Sequence, residues 1–212
     1  MLLIGMLDSP FVRRVAISMR LLGLSYEHGN WSVGRDFETI RRHNPLGRVP
    51  TLVLDDGTVL MESAAILDWL DQQVGPLRAL LPAAGDARRD SLQLMALAIG
   101  AAEKGREQIY ERVFRPESRR HPPWLDRCRQ QMLGSLGELE RRLPDRPGWI
   151  AGERLTQADI TIACCATFLT ESVPLSAEEV QPHVRLQALT ARCEALPEFI
   201  ATRTAWFAPG SG

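Results

Sequence analysis

The chain has 212 residues, enough to bury a substantial core as one large domain or as two small ones. Hydrophobic residues make up 45% and charged residues 24%, the ordinary balance of a globular protein, and a net charge of -1 gives no general pull toward nucleic acid or membrane. No run is long and apolar enough to span a bilayer, and no export signal is expected, because Asp8 closely follows the apolar start Met1-Leu2-Leu3-Ile4. The cysteines, Cys128, Cys164, Cys165 and Cys193, show neither CxxC nor zinc-type spacing, so buried free thiols in a reducing cytoplasm are expected and no metal is.

In chain order, Leu2–Met6 reads as a short strand and Pro10 opens a helix running to Leu22, with Gly23 as its C-cap. Tyr26–Trp31 reads as a second strand. A more polar helix follows over Asp36–His43, broken by Asn44-Pro45-Leu46-Gly47. Thr51–Leu54 and Thr58–Leu60 are two strands around the hairpin signal Asp55-Asp56-Gly57. Ser63–Val74 then reads as a helix with Ala64, Ile66, Leu67 and Leu70 on its apolar face. A helix joining the first two strands implies parallel pairing, and the hairpin adds an antiparallel edge.

The stretch Gly75–Gly85, with Pro76 and Pro82, separates this order from a second half that is helical throughout. Helices are expected over Asp86–Phe114, Trp124–Leu143, Gln157–Glu171, Pro182–Ala195 and Pro197–Trp206. The tail Pro209-Gly210-Ser211-Gly212 is expected to be mobile. The division implied is residues 1–76 as an α/β domain, 77–85 as a linker and 86–212 as an all-helical domain.

Three constellations carry chemistry. Asp8-Ser9-Pro10-Phe11 lies at the first strand-to-helix turn, where unpartnered N–H groups and a partial positive charge favour an anion such as a thiolate. With no cysteine there, the protein does not supply the sulfur, but Ser9 can donate a hydrogen bond to a bound thiol; read alone, Ser9 is an N-cap before Pro10. In Asn44-Pro45-Leu46-Gly47-Arg48-Val49-Pro50-Thr51-Leu52, a proline opening a strand fits a cis peptide that turns the preceding N–H and C=O toward an extended peptide ligand. Alone, it is also an ordinary loop entering an edge strand. Glu62-Ser63 precedes a helix, and such a pair can receive an α-ammonium and an α-carboxylate or simply cap the helix.

In this order and spacing the three resemble the N-terminal domain of the glutathione transferase family, bacterial-like and cytosolic. In the second half, Gly152-Glu153-Arg154-Leu155-Thr156-Gln157-Ala158-Asp159 resembles that family's capping motif. Thr156 and Asp159 have the spacing to cap each other's backbone N–H, which argues for fold and not for activity. The resemblance implies a thioredoxin-like α/β N-terminal domain followed by an all-α C-terminal domain. The Ser-Pro-Phe start is similar to the serine-type and omega-like branches, so Ser9 would address the glutathione sulfur as the catalytic residue. Val49 would pair with the cysteinyl backbone, Pro50 would be cis, and Glu62 and Ser63 would hold the γ-glutamyl end. Arg48 and Arg35 are the candidates for the glycyl carboxylate. Arg13 and Arg14, on the first helix, read as structural or solvent-facing. Phe11, Tyr110 and Phe114 are candidates for the electrophile, with helix packing an equal reading for each. Glutathione would be the co-substrate of conjugation to small hydrophobic electrophiles, and a homodimer is implied. Isomerisation, dehalogenation, peroxide reduction and a non-catalytic scaffold are the alternatives.

Overall fold

The computed structural model describes residues 1–207, so the tail Pro209–Gly212 lies outside the described residues. The chain divides into two compact units: Met1–Ala83 together with the chain from Leu196 on, and Ala84–Ala195.

In the first unit, β1 (Leu2–Ile4) leads into α1 (Pro10–Leu22), which starts at its proline and ends where Gly23 takes the left-handed conformation. There the N–H of Gly23 reaches the Arg20 carbonyl and that of Leu24 the Met19 carbonyl, closing the helix end. Next come β2 (Glu27–Gly29), α2 (Phe37–Arg41), β3 (Thr51–Val53), β4 (Val59–Met61) and α3 (Ser63–Val74). The sheet order is β2-β1-β3-β4. β1 and β2 are parallel, with Leu3 opposite His28. β3 is antiparallel to both β1 and β4, with Leu3 opposite Leu52 and Leu52 opposite Leu60. This is the thioredoxin-like arrangement. Its core is Leu3, Ile4, Leu52, Val12, Val15, Ile17, Met19, Ile66 and Leu70, all essentially inaccessible. Asp56 accepts the Thr58 N–H at 2.8 Å and so builds the β3–β4 turn.

The second unit is helical: α4 (Gly85–Val113), α5 (Pro122–Arg142), α6 (Gln157–Ser172), α7 (Ala177–Val180) and α8 (Val184–Glu194). α6 is its centre, buried almost without interruption from Gln157 to Leu169. The Thr156–Asp159 capping box forms, and Asp159, fully buried, also receives the Ile150 N–H at 2.9 Å. α4 passes α6 at Gly105, where a Cβ would come within 2.3 Å of the Leu169 side chain. The short helix α7 is absent from the sequence expectation, although Ser176 and Glu179 form its capping box.

The segment 196–207, expected in the helical domain, clusters instead with the first unit. Its helix, α9 (Pro197–Ile200), is shorter than the expected Pro197–Trp206. The helix ends because the Thr202 and Arg203 N–H groups take tighter bonds to Phe199 and Ile200, and the Thr202 hydroxyl bonds back to the Glu198 carbonyl. α9 joins the unit through Phe199. Its ring is fully buried, the Arg13 guanidinium lies 5.5 Å from the ring centroid, and Arg13 donates to the Phe199 carbonyl at 2.9 Å.

Candidate functional site

Ser9 stands at the start of α1 with extended backbone angles (φ -70°, ψ 123°). Its N–H donates to the Met6 carbonyl at 3.2 Å and its carbonyl receives the Arg13 N–H at 2.9 Å. The hydroxyl makes no capping hydrogen bond. The N-cap reading therefore describes the position of Ser9 but not the use of its hydroxyl. Asp8 beside it is half-buried, and burial raises its carboxyl above the ordinary value, offset in part by N–H donors of Phe207 and Ser9.

Gly5 lets Val49 pack against α1 at Val12. Gly5 has φ +131°, and a Cβ there would fall 2.6 Å from Val12 and 2.8 Å from Val49, so only glycine lets these three segments meet. The Val49-Pro50 peptide is cis. Val49 lies outside every strand, and among the described residues its N–H and carbonyl take no backbone partner. The loop before it is held by Asn44, which is buried. Its side-chain amide donates to the Arg48 carbonyl and to the Thr51 hydroxyl oxygen, each at 3.0 Å, and its oxygen receives the Leu46 N–H. In the sequence Asn44 reads only as a helix breaker. Its signal was an Asx turn ahead of a glycine.

Glu62 and Ser63 lie at the N-terminus of α3. Glu62 is the one non-glycine residue with positive φ among the described residues, at φ 66° and ψ 124°. That region costs of order 1–3 kcal/mol for a side-chain-bearing residue and persists only where the surroundings enforce it. The Glu62 carboxylate meets the Arg48 guanidinium at 3.3 Å, both half-exposed. The Ser63 hydroxyl oxygen receives a hydrogen bond at 2.6 Å from Arg14, which is only 1% exposed. Arg13 and Arg14 are thus buried and structural, with no solvent-facing role.

The expected site residues Ser9, Val49, Pro50, Arg48, Glu62 and Ser63 all belong to the first unit. Gly5 packs between Val12 of α1 and Val49, Arg48 reaches Glu62, and Arg14 joins α1 to Ser63. Phe11, half-buried on α1, is in the same unit, whereas Tyr110 on α4 and Phe114 at its C-cap belong to the second unit, edge to face at 5.1 Å. All four cysteines are buried thiols outside any disulfide. Burial, then the Asp159 charge, pushes the Cys193 thiol far up, and burial also raises Cys128. Among the described residues no cluster of histidine, cysteine or acidic side chains is placed to hold a metal, and no helix is long and apolar enough to cross a membrane.

Residues 3–78 match the model of the glutathione S-transferase N-terminal domain, and residues 122–192 match that of the glutathione S-transferase C-terminal domain. The chain belongs to the glutathione S-transferase family. Its relatives include the uncharacterized GST-like protein YibF of Escherichia coli (strain K12), 31% identical over 80% of this chain and 82% of that protein. Among solved structures, a glutathione S-transferase of Methylobacterium radiotolerans in complex with glutathione sulfonate is 32% identical. It superposes with a TM-score of 0.90 over 97% of this chain and 95% of its own. A glutathione transferase family member of Pseudomonas fluorescens Pf-5 with bound glutathione is 30% identical, with a TM-score of 0.82 over 97% and 99% of the two chains. Family membership accounts for both halves of this chain, the thioredoxin-like unit and the helical one.

Proposed function

We propose that this transferase binds glutathione in its first unit and conjugates the glutathione thiolate to small hydrophobic electrophiles. The observation that carries the reading is Glu62. A carboxylate held at φ 66° on a helix N-terminus, beside a serine fixed by a buried arginine, is a costly backbone arrangement of the kind kept at ligand sites. Its chemistry suits the γ-glutamyl end: the Glu62 carboxylate accepts the α-ammonium, while Ser63 and the first N–H groups of α3 receive the α-carboxylate. Arg48, paired with Glu62, adds a cation at that end. Val49 offers its N–H and carbonyl to the cysteinyl backbone, as an added strand would use them. The relatives solved with glutathione and with glutathione sulfonate support the same ligand for this chain.

Ser9, of the serine-type kind, then donates its hydroxyl hydrogen to the sulfur at the positive end of α1. A charge-assisted hydrogen bond contributes about 1.5–3 kcal/mol, and each pKa unit corresponds to about 1.4 kcal/mol. The thiol therefore drops by about one to two units from its free value near 8.5. Its proton leaves to solvent, the sulfur lone pair forms the bond to the electrophilic carbon, and the leaving group departs with its bonding pair. The inert, buried cysteines favour this over disulfide exchange through a protein thiol. A detoxifying role in the cytoplasm as a homodimer accompanies the reading, the dimer being testable by sedimentation at micromolar concentration.

The test is retention on immobilised glutathione together with conjugation assays on wild type and Glu62→Ala. Binding and turnover in the wild type, with glutathione affinity weakened about tenfold or more in the variant, is expected. Binding without turnover across electrophile classes would shift the reading to a non-catalytic scaffold.

A further inference from the structure

Two turns of the first unit follow the C-terminal ends of neighbouring parallel strands. One, after β1, carries Asp8 and Ser9; the other, after β2, carries Arg35. Phe207, far away in sequence, touches both. Its N–H donates to Asp8 Oδ2 at 3.0 Å, and its ring lies under the Arg35 guanidinium at 4.9 Å. Asp8 directly precedes Ser9, so this hydrogen bond ties Phe207 to the turn that carries Ser9.

A guanidinium packed over a ring keeps N–H groups available to meet a carboxylate in bidentate fashion. Arg35 is exposed, so without the ring it would sample many rotamers and lose that entropy on binding. Resting on the glutathione-binding reading above, we propose that Phe207 is a positioning residue of that site. It spans the Ser9 and Arg35 turns and holds Arg35 ready for the glycyl carboxylate of glutathione. Arg48, drawn to Glu62, serves the opposite end of the ligand.

Phe207 acts on binding through Arg35 and leaves the thiolate chemistry at Ser9 unchanged. Phe207→Ala should raise the glutathione Kd and KM about 3- to 10-fold with kcat within about twofold of wild type. Phe207→Trp, which keeps an aromatic face, should restore most of the affinity. Arg35→Ala should show a similar loss, and the double variant Phe207→Ala/Arg35→Ala should be no worse than Arg35→Ala alone. A purely structural Phe207 would not show this dependence on Arg35.

The experiment is calorimetry with reduced glutathione plus steady-state kinetics on these variants, each first checked for folding by circular dichroism. If Phe207→Ala is poorly folded, the Phe207→Leu variant gives the same comparison. A wild type that binds glutathione, with unchanged affinity in the Phe207 variants or additive losses in the double variant, overturns the role of Phe207 and leaves the function standing. A wild type that binds no glutathione removes both.

Discussion

The Arg14 guanidinium, carried on α1, donates to the Ser63 hydroxyl at the start of α3 over 2.6 Å, and Arg14 is 1% exposed. A long cationic side chain is thereby buried across the two helices that carry Ser9 and Glu62. This contact ties the start of α3 to α1, and in the proposed site it would fix the spacing of Ser9 and Glu62.

Arg14→Met keeps much of the buried volume but removes the donor to Ser63. Loss of the hydrogen bond and of close packing should cost about 2–4 kcal/mol in urea unfolding. It should also weaken glutathione binding, because Ser63 loses its orientation. A variant as stable as wild type with full affinity would show that the contact is incidental.

Glu62→Gly relieves the positive φ and should raise stability by about 1 kcal/mol while glutathione affinity falls sharply. Opposite signs in the two measurements, thermal unfolding and calorimetry, mark a strain kept for binding. A loss of stability would mean that the pair with Arg48 outweighs the strain. An exposed ion pair is typically worth only about 0–1 kcal/mol.

Ser9→Ala should leave stability nearly unchanged, within about 0.5 kcal/mol, because the hydroxyl caps nothing. A loss near the ~1 kcal/mol typical of an N-cap would return Ser9 to a structural role.

Asp8 gives a pH signature. Burial raises its carboxyl above the ordinary 3.8, so in the folded state it holds its proton more tightly than in the unfolded state. Its contribution to stability is therefore full below the ordinary value and is lost as pH rises through the raised folded value. Asp8→Asn keeps an acceptor for the Phe207 N–H and does not titrate. Its stability relative to wild type should rise from acid toward neutral pH, measured by denaturant unfolding at several pH values. A constant difference, or one of opposite slope, would contradict the assignment.

The sequence was most legible where one residue decides the backbone. Pro10 opens α1, Gly23 closes it, and Asp56-Gly57 turns the β-hairpin, all as expected. The Thr156–Asp159 box was equally readable because its partners are three residues apart. What escaped reading depends on long-range contact. Arg13 and Arg14 look like ordinary polar positions of a helix, and only Phe199 and Ser63, remote in sequence, make them interior. The same Arg13–Phe199 contact draws the segment from Leu196 into the first unit. Glu62 carries no local mark of its positive φ, since glycine or asparagine would ordinarily signal it. For α7 the Ser176–Glu179 box was present, but the helix is too short for a periodic apolar pattern to support it.

The central claim, that Ser9 stabilises a glutathione thiolate in this site, is tested most directly by titrating the ultraviolet absorbance of the thiolate with glutathione bound to wild type and to Ser9→Ala. The account predicts an apparent thiol pKa about one to two units below the free value near 8.5 in wild type, with most of that depression lost in the variant. Bound glutathione that titrates identically in the two proteins would contradict it.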